Sequence, residues 1–202
     1  MVAADQRVKD KNTKKPNTKT ETPKPALTKK AYELLSYLRC HKSIFFPGQG
    51  FNSTTVALTL KNDTGRCLIP EEEIETNRVH LPGATALKII LEKQEELVGK
   101  AWGVIEEKQG GLSEEVEKIL KYDLEVFLRV ISYAVGANCR NYIARNNFEM
   151  AKMLYDELGV GHTVMADAIE AMKMGLMNEL DEEESKTKVD KVFGVVIDDL
   201  RK

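Results

Sequence analysis

The chain is poor in the residues on which most site chemistry is built. Its 202 residues include three histidines, three cysteines and one tryptophan, and aromatics make up 6%. His41, His80 and His162 stand far apart, outside any metal-ligand spacing, and no H-E-x-x-H occurs. Cys40, Cys67 and Cys139 form an odd set without C-x-x-C. That argues for reduced thiols in a cytosol-like compartment and against a disulfide framework. No apolar run is long enough to span a bilayer, and the first residues lack the apolar stretch of a secretory signal, so a soluble protein is expected. The GQG, GG and GVG groups lack the lysine and the strand-turn-helix setting of a phosphate loop. No Ser/His/Asp or Cys/His arrangement assembles from local context, and the E-x-x-H of di-iron helices is missing. An enzyme is therefore not expected.

What is present is a chain 42% hydrophobic and 31% charged, enough for one medium domain with a tail. The net charge of −2 hides a partition: residues 1–30 hold nine basic against three acidic side chains, and the remainder 21 against 29. Residues 1–25, rich in Lys, Thr, Asn and Pro, have too little to bury to offset their ordering entropy, so this segment is expected to be disordered. On the plainer reading it is a solvated tail. On the sharper one it is an electrostatic arm for an anionic membrane face, nucleic acid or an acidic protein.

Helical periodicity dominates the rest. Leu27, Ala31, Leu34, Leu35 and Leu38 make a stripe over 26–41, before SIFFPGQGFNS breaks the pattern. Phe45, Phe46 and Phe51 are candidates to fasten that segment to a core or a partner. A helix is expected over 54–63, and another beginning at Pro70 with Glu71, Glu72 and Glu73 at its positive end. Longer helices are expected over 84–108, over 114–136 with Ser113 as cap, over roughly 140–158 up to Gly159, and over 164–180. DEEES then reads as a turn before a last helix, Val189–Leu200. Six of seven methionines fall at 150–177, read as core filler or, alternatively, as an adaptable partner surface. The fold class is all-α, with six to eight helices.

Four pieces, in order, resemble the phycobiliprotein family, the globin-like antenna subunits of the phycobilisome. They are GRCLIPEEEI at 65–74, LVGKAWGVIEEK at 97–108, KYDLEVFLRVISYAVGANC at 121–139 and KMLYDELGVGHTVMADAIEAMKMG at 152–175. The likeness covers roughly 53–200 and implies a globin-like domain over 53–202 with two N-terminal helices. Residues 1–25 (basic arm) and 26–52 (amphipathic helix and linker) are then extensions.

The resemblance also implies a site, and this chain departs from it. The family's bilin thioether lies on a Cys three residues before the hallmark Asp; here that Asp is Asp123 and the Cys position is Leu120. The basic residue that usually precedes the Asp is Tyr122. Covalent attachment needs a thiol, so no covalent bilin is expected. Asp123 retains the chemistry to accept from pyrrole N–H groups, which with Tyr122 and Phe127 leaves a non-covalent bilin pocket as an alternative to a space filled by Trp102, Tyr122 and Phe127. The family's subunits pair through their N-terminal helices, an Arg on the hallmark helix meeting an acid on the partner's first helix. Arg129 matches that Arg, and the partner-facing position is Asn62, by the preferred alignment, or Asp63.

The leading expectation is a structural or linker-type antenna subunit, peripheral on the cytoplasmic or stromal side of the thylakoid, hetero- or homodimeric, with the arm contacting the membrane surface or an acidic protein. A regulatory globin-like module holding a bilin or another apolar ligand non-covalently comes second. Nucleic-acid binding through the arm comes last, because no helix rich in Arg and Asn accompanies it.

Overall fold

The computed structural model describes residues 27–41 and 44–202, so the basic arm at 1–25 lies outside the described residues. Eight α-helices occur among the described residues: α1 (Lys29–His41), α2 (Ser53–Gly65), α3 (Glu71–Thr76), α4 (Ala84–Gln109), α5 (Glu114–Ala137), α6 (Arg145–Glu157), α7 (His162–Asn178) and α8 (Glu183–Leu200). A single 3-10 turn, Arg78–His80, lies between α3 and α4. The fold class is all-α, as read from the periodicity.

Local chemistry accounts for most boundaries. The Asn52 side chain accepts from the Thr55 N–H at 2.8 Å and starts α2, and Arg66 ends it in the left-handed region at φ 56°. Ser113 accepts from the Val116 N–H at 3.3 Å, and Glu114, Glu115 and Glu117 occupy the first turn of α5. Pro70 stays extended (ψ 152°), so α3 begins one residue later, at Glu71.

Two boundaries differ from the sequence reading by about five residues. Helix α6 starts at Arg145 rather than near 140. Its would-be first turn is drawn into an antiparallel bridge between Phe45 and Ile143, with the Phe46 N–H donating to the Tyr142 carbonyl at 2.7 Å and the Ala144 N–H to the Ile44 carbonyl at 2.7 Å. Helix α8 starts at Glu183, so most of DEEES is helical: the Ser185 hydroxyl donates to Glu182 at 3.1 Å, and Glu183 and Glu184 lie at the positive end. The alternation at Val192–Ile197 belongs to this helix, which buries Val192, Phe193, Val196 and Ile197.

The core forms where α4 packs on α7 and α5, with α8 closing over α7. Gly83 and Gly136 let the start of α4 meet the end of α5: the Gly83 N–H donates to the Gly136 carbonyl at 3.1 Å, and a Cβ on Gly83 would stand 2.0 Å from the Val135 oxygen. Lys108 of α4 pairs with Asp167 of α7, and Lys173 of α7 pairs with Asp190 of α8 at 3.0 Å. The segment before α2 is fastened as its aromatics suggested. Phe45 is buried edge-on against Phe51 (5.7 Å) and Tyr133 (5.2 Å), whereas Phe46 is exposed. Met165 and Met172 are fully buried in the core, while Met153 and Met174 are exposed. No described helix is long and apolar enough to cross a membrane.

Candidate functional site

The sequence-derived candidates fall in two groups along α5. The first is its N-terminal half. Leu120 is completely buried and belongs to the main core. One turn on, Asp123 is half-buried and its Oδ2 accepts from the Tyr155 hydroxyl at 3.1 Å. Burial pushes the Asp123 carboxyl up to about 7, against the opposing pull of the Tyr155 bond and the Arg39 charge. Burial and the neighbouring Asp123 push the Tyr155 hydroxyl well above its ordinary value. Phe127 is wholly buried, edge-on to Phe148 at 6.3 Å and tilted against Tyr155 at 6.5 Å. Tyr122 keeps 44% of its surface exposed. Trp102 of α4 is nearly buried and carries the Lys121 ammonium over its ring at 4.2 Å.

Helix α1 packs across this region. Ala31, Leu34 and Leu35 form a second apolar cluster with Ile119 of α5 and Leu154 of α6. Its polar flanks are tied down on both sides. The Tyr32 hydroxyl donates to Glu115 at 3.2 Å, and Lys30 and Thr28 donate to Glu157 at 2.6 and 3.1 Å.

The second group lies at the other end of α5. Arg129 is buried, with its Nε 3.5 Å from Asp63 Oδ1 of α2 and no hydrogen-bond acceptor for that N–H. Asn62, next to it, is also buried; its amide donates to the Leu58 carbonyl and to Glu73 Oε2, both at 2.9 Å. Lys61 pairs with Glu73 as well, and the Lys61 and Asn62 bonds hold the Glu73 carboxyl below the usual range. Asp63 is thus the residue opposite Arg129 within the chain, while Asn62 braces α2 against α3.

The chemistry available here is limited. The side chain at 120 is aliphatic and enclosed, so a bilin thioether has no nucleophile at that position. Cys67 and Cys139 are engaged elsewhere, the first donating to Asn62 Oδ1 at 3.3 Å and the second to the Gln49 carbonyl at 3.1 Å. Among the described residues no group of His, Cys, Asp and Glu is arranged to hold a metal ion. At position 120 the residue present does not fit a thioether-held tetrapyrrole.

Sequence reasoning missed Tyr155 and the α1 contacts. The signal available for Tyr155 was physical: a carboxylate on a largely buried helix needs a donor, and KMLYDELG supplies one on the helix packed opposite.

A family model described as phycobilisome protein matches residues 73–200, from within α3 to the last residue of α8. No curated protein matches the sequence. With the all-α fold, the hallmark helix at 121–139 and a family match over more than half its length, this chain belongs to the phycobilisome protein family, a family of light-harvesting antenna subunits that assemble with one another and not of enzymes.

Proposed function

We propose that this chain is a structural, linker-type subunit of the phycobilisome antenna that carries no covalently attached bilin. The observation that supports this reading is Leu120: the position of the family's thioether holds an enclosed aliphatic side chain. The neighbouring Asp123 already accepts a hydrogen bond from within the chain. A globin-like body without pigment is left with assembly as its work. The surface we assign to a neighbouring subunit is the outward side of α2 and the 3-10 turn, where Leu60 and Val79 are exposed. Arg129, Asn62 and Asp63 shape that surface by holding α2 on α5 and α3. In this reading the basic segment 1–25 contacts the thylakoid surface or an acidic neighbour, each lysine near an anionic leaflet adding about 1 kcal/mol.

The test is isolation of the native protein with its assemblies. It is expected to comigrate with other phycobiliprotein subunits and to give no zinc-induced fluorescent band on a denaturing gel. Absence from such assemblies, or a fluorescent band at 22.7 kDa, overturns the reading. The second reading, a module that holds a bilin non-covalently, draws on one observation, the half-buried carboxylate of Asp123. It ranks lower because that carboxylate has an internal donor.

A further inference from the structure

We propose that α1 is a built-in occupant of the groove between α5 and α6, a clasp that keeps a linear tetrapyrrole off Asp123 and can be detached without unfolding the body. This deepens the pigment-free reading above and rests on it.

The register of the contacts carries the inference. Tyr32 meets Glu115, and Ala31, Leu34 and Leu35 cluster with Ile119. Glu115, Ile119 and Asp123 are spaced i, i+4, i+8 and so form one stripe of α5. From Tyr32 to Leu35 a helix rises about 4.5 Å, and from Glu115 to Ile119 about 6 Å. The two sets of contacts therefore keep step, with α1 running in the same direction as α5. On the other side, Thr28 and Lys30 reach Glu157 near the end of α6, and the leucines of α1 reach Leu154 one turn earlier. Helix α1 is thus antiparallel to α6 and lies in the furrow of that pair.

Its place in that furrow is the face of α5 on which Asp123 sits, beside the residue at 120. An N–H-rich, largely apolar molecule that reached Asp123 would use the apolar contact with Ile119 and Leu154 that α1 already takes.

The clasp is separable on energetic grounds. Ala31, Leu34 and Leu35 belong to a small cluster separate from the main core, whose buried members run from Ile44 to Leu200, and only the partly buried Leu27 and Leu38 of this segment touch both. The polar ties of α1 to Glu115 and Glu157 are exposed and weak.

The experiment uses the full chain and the variant Leu34→Asp/Leu35→Asp, with biliverdin as the probe. Limited proteolysis reports cleavage at Lys29, Lys30 and Arg39, and far-UV circular dichroism reports the body. The variant is expected to be cleaved within α1 while retaining its remaining helicity. It is expected to bind biliverdin at least about tenfold more tightly than wild type, because apparent affinity scales with the fraction of open molecules. Adding Asp123→Ala to the variant is expected to remove that gain. An α1 that stays resistant, a body that unfolds, or an opened variant that binds no better than a colourless wild type overturns the clasp and leaves the pigment-free reading standing. A wild-type protein that is itself isolated with bound bilin overturns the pigment-free reading, and the clasp with it.

Discussion

Asp123 is a half-buried carboxylate held by one internal hydrogen bond, from Tyr155. Its carboxyl is pushed up to about 7 from an ordinary 3.8 by burial. The folded chain therefore holds this proton more tightly than the unfolded chain. Stability from this group is fully present below pH 4 and is lost as pH rises through about 7. Asp123→Asn removes the ionisation and keeps an oxygen for Tyr155. It is expected to stabilise the protein by on the order of 2 kcal/mol at pH 8, with no difference below pH 4. Urea denaturation of both proteins across that range checks this; an unchanged difference at all pH values would show that the carboxylate is hydrated in the fold.

At the scale of elements, the helices begin and end where side chains satisfy their free backbone groups. Ser113 is the clearest case, one hydroxyl accepting from the Val116 N–H ahead of three acids in the first turn of the longest buried stretch. Ser113→Ala is expected to destabilise the fold by about 1 kcal/mol, read as a lowered urea midpoint at unchanged m-value. These caps were legible in the sequence because capping is a contact over three residues. The starts of α6 and α8 were not. The first is displaced by a bridge from Phe45, nearly a hundred residues away. The second is extended because an acidic run suits a helix start as well as it suits a turn.

For the whole molecule, the assembly question turns on how α2 is held. Arg129 and Asp63 face each other with side chains only 10% and 14% exposed. Tyr133 lies against the same guanidinium, and its hydroxyl donates to the Cys67 carbonyl. Removing one member leaves a buried charge without its counter-ion. Asp63→Ala is expected to cost about 3 kcal/mol, and Arg129→Met/Asp63→Leu together much less, by thermal denaturation of single and double variants. Equal losses in the single and double variants would mean that the pair is solvated and does not hold α2.

Local physics fixed the all-α class and most of the helix ends, while the resemblance of four short pieces pointed to the family and, through it, to the departure at Leu120. Periodicity, caps and the absence of a thiol are properties of neighbouring residues and can be read along a line. Only the tertiary structure decided that Tyr155 bonds Asp123, that Asp63 pairs with Arg129 within the chain, and that α1 lands in the furrow of α5 and α6. Each of these joins groups far apart in the chain. Their meeting depends on how whole helices cross, which no short window of sequence contains.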